Sequence, residues 1–332
     1  MRDSPVQSTI ALNSSGKHYG HLVLPHSRDD SAWGSVMIPI TVIAGGSGPT
    51  ALLTGANHGD EYEGPLALLE LSQTLEPEHL RGRVIIVPFM NFPAFRAGTR
   101  TSPIDRGNMN RAFPGRPDGE ITEKIADYFQ RKLLPQADIV LDFHSGGKTL
   151  DFLPYAASHI LENKEQEARC RAARDAFNAP YSLDMLEIDA VGMYDTAAEG
   201  LGKTFVTTEL GGGGTSTPET VAIARKGVRN LLIHAGILTG TAALSESQHL
   251  TQPDENCYHF APISGLVELV VSLGGSLGRG DLLARIWNTE STGQPPQEIR
   301  AKMDGILITR HHPGLIKTGD CLAVLAVQSA NS

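Results

Sequence analysis

From residue 50 to residue 238 two kinds of apolar pattern alternate along the chain, and this alternation constrains the fold more than any other feature. "TALLTGAN" (50–57) is a short apolar run that gives out at a glycine, as a buried strand does. "GPLALLELSQTL" (64–75) then carries Leu66, Leu68, Leu69 and Leu71 at the spacing of a helix packed on a sheet, and Pro65 suits a first helical turn. "RVIIVPFMN" (83–91) predicts a strand, "ITEKIADYFQRKLLPQ" (121–136) an amphipathic helix and "ADIVLDFHSGG" (137–147) a strand. "KEQEARCRAARDAF" (164–177) predicts a helix, "KTFVTTELGGGG" (203–214) a strand and "PETVAIARKGVRNLLIHAGIL" (218–238) a long helix. Residues 7–45 read as short strands, among them "HLVLP" and "VMIPITVIAGG". Strands and helices in this order predict an α/β fold, with a mostly parallel mixed sheet flanked by helices.

Near residue 240 the character changes. "TGTAALSESQHLTQPDENC" is polar and irregular, as a linker is. "FAPISGLVELVV", "GRGDLLARIW", "KMDGILITRH" and "GDCLAVLAV" follow as short strands between glycines, with no helical pattern. The expectation is an α/β domain over 1–240 and a small β-rich, barrel-sandwich-like C-terminal domain over 241–332.

Composition mainly excludes. A formal net charge of −9 argues against a non-specific binder of nucleic acid or anionic membranes, both of which reward clustered Lys and Arg. Cys170, Cys257 and Cys321 are far apart and odd in number, which suggests neither a disulfide framework nor a cysteine zinc site. "MRDSPVQSTIALNSSGK" lacks the apolar run of a signal peptide, and no stretch approaches the roughly 18 apolar residues that cross a bilayer. A soluble cytoplasmic protein is expected.

"GANHGDEYEG" (55–64) places His58 and Glu61 three residues apart where an apolar strand ends. That spacing puts two side chains on one side of a helical turn, able to converge on one ion. A catalytic zinc site needs about three protein ligands and an open position. "VLDFHSGG" offers His144 at another predicted strand end, and ligands of open α/β sheets bind beyond the carboxyl ends of strands. Alone, an HxxE is common and a His after a strand is often a hydrogen-bonded loop residue; the three together point to a metal. Asp60 and Glu63 are rival carboxylates without the i+3 spacing. "TFVTTELGGGG" adds Glu209 as a base, or as a mere cap of the next turn, and its glycines form a flexible loop that lets backbone approach a ligand. "GTRTSPIDRGNMNRAFPG" (98–115) holds Arg100, Arg106, Asn110 and Arg111, which read either as a solvated loop or as a clamp for a substrate carboxylate plus an oxyanion donor.

"ANHGDE", "NMNRAFPG", "DFHSGG" and "TTELGGG", in that order, resemble the succinylglutamate desuccinylase/aspartoacylase family of the zinc carboxypeptidase superfamily, over roughly residues 35–330. The resemblance implies one Zn2+ on His58, Glu61 and His144, with Glu209 as general base and then general acid. It implies substrate carboxylate binding by Asn110 and Arg111. Asn108 stands where the family has an acid and the preceding loop is longer, so Arg100 is the better match for the oxyanion donor and Arg106 its rival. Within the family, the length and the 98–115 wording most resemble the members that deacetylate Nα-acetyl-L-2,4-diaminobutyrate in ectoine degradation. The partner would then be a small N-acyl amino acid, with homo-oligomers open. Its free ammonium would want an acid, for which Asp189, Asp195 and Glu187 are candidates.

Three other readings compete. A carboxypeptidase acting on peptides would use the same ligands, base and clamp, and differs in whether the β module roofs the pocket. A biotin-type carrier would use Lys302 in "RAKMDGILI", but Ala301 replaces the usual methionine there. Metal binding without catalysis would need neither Glu209 nor the arginines.

Overall fold

The computed structural model describes residues 2–186 and 189–329. In chain order it forms β1 (Gln7–Ser8), β2 (Gly16–Pro25), β3 (Ser35–Ala44), β4 (Thr50–Gly55), α1 (Glu63–Thr74), β5 (Arg83–Val87), α2 (Phe92–Ala97), α3 (Ile121–Tyr128) and β6 (Ile139–His144). Next come β7 (Leu150–Phe152), β8 (Tyr155–His159), α4 (Lys164–Phe177), β9 (Tyr181–Met185), α5 (Tyr194–Gly200), β10 (Thr204–Glu209) and α6 (Pro218–His234). Strands dominate the rest: β11 (Gln248–Thr251), β12 (Tyr258–Phe260), β13 (Gly265–Leu269), β14 (Ser276–Leu277), β15 (Leu282–Trp287), β16 (Gln297–Arg300), β17 (Gly305–His311), β18 (Leu315–Ile316) and β19 (Cys321–Gln328).

The α/β expectation holds, with a mixed sheet at its centre. The main sheet runs β1-β2-β3-β5-β4-β6-β10-β8-β9-β11-β19-β17-β14. Pairing is parallel through β5, β4, β6 and β10, and antiparallel where β3 meets β5 and β10 meets β8. A smaller antiparallel sheet, β16-β15-β13-β18, lies in the C-terminal part. Alternate residues of the central strands face opposite ways. Leu53, Leu141 and Val206 pack under α1, α4 and α6, whereas Leu52, Val140 and Phe205 pack under α3 and α5. Covering both faces explains why these strands read as unbroken apolar runs.

Two differences from the sequence pattern have clear causes. The predicted helix over 121–136 is α-helical only to Tyr128, then becomes a π turn over Phe129–Leu133 and a 3₁₀ turn over Leu134–Gln136. Pro135 offers no N–H to continue the ladder. β8 ("YAASH") and β9 ("YSLDM") escape the pattern because they are short and mix small and polar residues.

Backbone pairing crosses residue 240. β11 pairs in parallel with β9, β19 pairs with β11, and β17 pairs with β7. Among the described residues, no helix is long and apolar enough to cross a membrane.

Candidate metal centre

β4, β6 and β10 lie side by side and run the same way, so their carboxyl ends meet along one rim of the sheet. Gly55 pairs with Phe143, and Glu209 pairs with His144. The loop after β4 bears His58 and Glu61, His144 is the last residue of β6, and Glu209 the last of β10.

The β4 loop is tightly packed. Ala56 takes a left-handed φ of 48°, turning the chain at the strand end. A Cβ on Gly59 would lie 2.0 Å from the Ala94 carbonyl carbon in α2, so only glycine fits there. His58 and Glu61 therefore sit in a turn that precedes α1 rather than on the helix itself.

Glu61 lies between two imidazoles. His58 Nδ1 is 2.7 Å from its Oε1, and His144 Nδ1 is 3.1 Å from its Oε2. One ligand atom from each of the three lies within 4.8 Å of the others, and all three side chains are buried. The Ser145 N–H also donates to Glu61 Oε2, at 3.2 Å. Burial opposes charge on Glu61, but the two imidazoles hold its carboxyl well below the usual carboxylate range. Burial lowers His58, with Glu61 pulling the other way. His144 is raised well above normal: burial opposes its charge, and Asp142 and Glu61 overcome that.

Asp142 was not singled out from the sequence, although it lies two residues before His144 on the same face of β6. Its Oδ2 is 2.8 Å from His144 Nε2, which directs Nδ1 towards Glu61. Thr54 Oγ1 donates to Asp142 Oδ1 at 2.6 Å, and Asn57 Nδ2 to Oδ2 at 2.9 Å. An ionised carboxylate flanked by two imidazoles, one of them oriented by a second carboxylate, is the donor set of a three-ligand catalytic zinc site. The residues fit the metal.

The rival carboxylates serve elsewhere. Asp60 Oδ2 accepts from the Lys148 N–H at 2.8 Å, and Glu63 Oε2 from the Tyr62 N–H at 3.3 Å. Burial pushes the Glu63 carboxyl up to about 7.

Glu209 stands beside the cluster with its Oε2 buried and without a hydrogen-bond partner among the described residues. Burial and then the charge of Glu61 push its carboxyl up to about 8; His144 and Arg100 oppose this. The glycines behind it form no flexible loop. Gly211 O accepts from the N–H groups of Gly146 and Phe152, and Gly213 N–H donates to Leu150 O. Residues 211–214 all have positive φ, which glycine alone adopts readily.

The arginine loop divides. Arg100 Nη1 lies 3.8 Å from Glu61 Oε1, and Arg100, Asn110 and Arg111 line the same pocket as the cluster. Asn110 Oδ1 is occupied by the N–H of Tyr194 at 3.0 Å, leaving its amide N–H groups for an anion. Arg106, with a left-handed φ of 57°, is not among the residues lining the pocket. The pocket has a volume of about 180 Å³, and its far wall includes Leu150, Phe152, Met185, Met193 and Asp195. A larger hollow of about 620 Å³ lies beyond Asn108–Phe113 and shares Arg111, but holds none of the cluster.

Fold and site together define an α/β metallohydrolase. The model of the succinylglutamate desuccinylase/aspartoacylase catalytic domain matches residues 47–235, and the chain belongs to that family. It is 52% identical to the N-alpha-acetyl-L-2,4-diaminobutyric acid deacetylase of Halomonas elongata, over 98% of this chain and 96% of that one. The product-bound structure of the ectoine utilization protein EutE (DoeB) from Ruegeria pomeroyi is 64% identical, with a TM-score of 0.97, covering 98% of this chain and 100% of that one. A succinylglutamate desuccinylase structure from Silicibacter sp. is 62% identical, with a TM-score of 0.96, covering 99% and 100%.

Proposed function

We propose that this chain is a zinc-dependent amidohydrolase that removes the acetyl group from a small N-acetyl amino acid. The substrate is Nα-acetyl-L-2,4-diaminobutyrate and the products are acetate and L-2,4-diaminobutyrate. The observation that carries the reading is the meeting, in one pocket of about 180 Å³, of a His-Glu-His cluster, the Arg100, Asn110 and Arg111 side chains, and Glu209, whose buried Oε2 has no hydrogen-bond partner among the described residues. The similarity to the Halomonas elongata deacetylase supports the choice of substrate.

His58, Glu61 and His144 would hold one zinc ion. Zinc supplies a Lewis acid that polarises the acyl carbonyl and makes water a nucleophile near neutral pH. Arg111 and the Asn110 amide grip the substrate's α-carboxylate, which orients the scissile amide. Glu209 takes the proton from the attacking water as the new C–O bond forms. It then delivers that proton to the amide nitrogen as the C–N bond breaks, so the amine departs neutral. The Arg100 guanidinium faces the oxygen on which negative charge develops.

The pocket favours small amides over peptides. Leu150 and Phe152 of β7 wall it, and β7 is held in place by β17 of the C-terminal part. The Arg310–Asp151 ion pair, at 2.7 Å, fastens the same strands.

The test combines metal analysis with acetate release from a panel of N-acetyl amino acids and C-terminal peptides, with and without chelator. About one zinc per chain, chelator-sensitive acetate release and preference for acetyl-diaminobutyrate are expected. Glu209→Gln should keep the metal and lose about 10²–10⁴ in turnover. Faster cleavage of peptides than of any N-acetyl amino acid would replace this reading with a carboxypeptidase.

A further inference from the structure

On the deacetylase reading, we propose that Asp195 is the residue that selects a diamino acid: its carboxylate pairs with the substrate's side-chain ammonium. Among the described residues that line the pocket there are three carboxylates, Glu61, Glu209 and Asp195. In the proposed reaction the first two serve the metal and the proton, and Asp195 is the third. Of the other sequence candidates, Asp189 does not line the pocket, and Glu187 lies outside the described residues.

Asp195 is buried and held from behind. Its Oδ1 accepts from the Thr196 N–H at 2.5 Å and from Thr196 Oγ1 at 3.3 Å. Its Oδ2 lies 3.9 Å from His159 Nε2, and His159 Nδ1 in turn lies 3.1 Å from Glu199. The wall around it is apolar, with Met185, Met193 and Phe152. A carboxylate in such a wall favours a cationic side chain over a neutral one.

Asp195 is also tied to the carboxylate clamp. The preceding residue, Tyr194, donates its backbone N–H to Asn110 Oδ1, so one hydrogen bond links the first turn of α5 to the clamp. The proposed ammonium site and the carboxylate clamp thus lie in one pocket and are joined through the backbone of Tyr194. This suits a substrate that carries a carboxylate and an ammonium on one short chain.

The experiment compares kcat/KM for Nα-acetyl-L-2,4-diaminobutyrate with that for Nα-acetyl-L-2-aminobutyrate, which lacks the amine. In Asp195→Asn this ratio should fall on the order of 10²-fold, chiefly through KM, as expected for losing a charge-assisted contact. Inhibition by L-2,4-diaminobutyrate should weaken in parallel, with zinc content kept. Asp195→Glu keeps the charge but extends it by one methylene, and should move preference towards the shorter Nα-acetyl-2,3-diaminopropionate. Ratios within about threefold of the native protein in both variants would overturn the proposal. A native protein that cleaves acetyl-aminobutyrate but shows no preference for the aminated substrate would also overturn it, leaving the deacetylase reading intact. A native protein inactive on every N-acetyl amino acid would remove both.

Discussion

One imidazole at the centre, that of His144, leans on a neighbour outside the His-Glu-His cluster. Asp142 orients His144, and Thr54 and Asn57 hold Asp142 in turn. Asp142→Asn should weaken metal binding by about 10–100-fold, measured by competition with a chelator, without removing any ligand. The two arginines that the sequence left as rivals are separated by position. Arg100 reaches within 3.8 Å of Glu61, so Arg100→Ala should lower kcat on the order of 10²–10³-fold while zinc content stays the same. Arg106 does not line the pocket, and Arg106→Ala should leave kcat/KM close to native in the same assay. Equal losses in both variants would show that the loop acts as a unit. The His-Glu-His cluster was legible in the sequence because metals demand a few residue types at strand ends. Asp142 was hidden because an acid inside an apolar strand has no signature of its own; only its distance to His144 reveals its work.

At the level of elements, the site exists because three adjacent parallel strands end together. The runs ending at Gly55, His144 and Glu209 were each recognisable as buried strands, but their adjacency in the order β4-β6-β10 was not. Periodicity reports which face a residue occupies, not which strand lies beside it. The loop after β4 shows how packing then sets direction. With Gly59 against the backbone of α2, Gly59→Ala must displace one of the two. It should cost about 1–3 kcal/mol of stability by chemical denaturation, and weaken metal binding more than a surface change of equal cost. The glycine run at 211–214 was expected to be flexible from composition alone. Its hydrogen bonds to 146–152 make it a fixed buttress behind Glu209, a role set by partners far away in sequence.

On the scale of the whole molecule, the C-terminal strands extend the main sheet as well as forming a second, smaller one. Tyr155, Ala157 and Leu183 are buried in one cluster with Leu250, Ile308 and Val324. A chain cut after residue 240 would expose that apolar surface and the edge of β9, so it should be insoluble or loosely folded. Circular dichroism and thermal unfolding would show this; a cooperative, soluble 1–240 fragment would mark the two parts as independent. The same pairing of β7 with β17 holds the Leu150 and Phe152 wall of the pocket. The sequence by itself determined the α/β class, the change of character near 240 and the members of the candidate metal cluster, because apolar periodicity and metal chemistry act through local pattern and residue type. Only the tertiary structure decided which arginine reaches the centre, that Asp142 stands behind His144, that the C-terminal strands wall the pocket and that Asp195 faces it. Those depend on contacts between segments tens to hundreds of residues apart, and a linear pattern holds no record of which distant segments will touch.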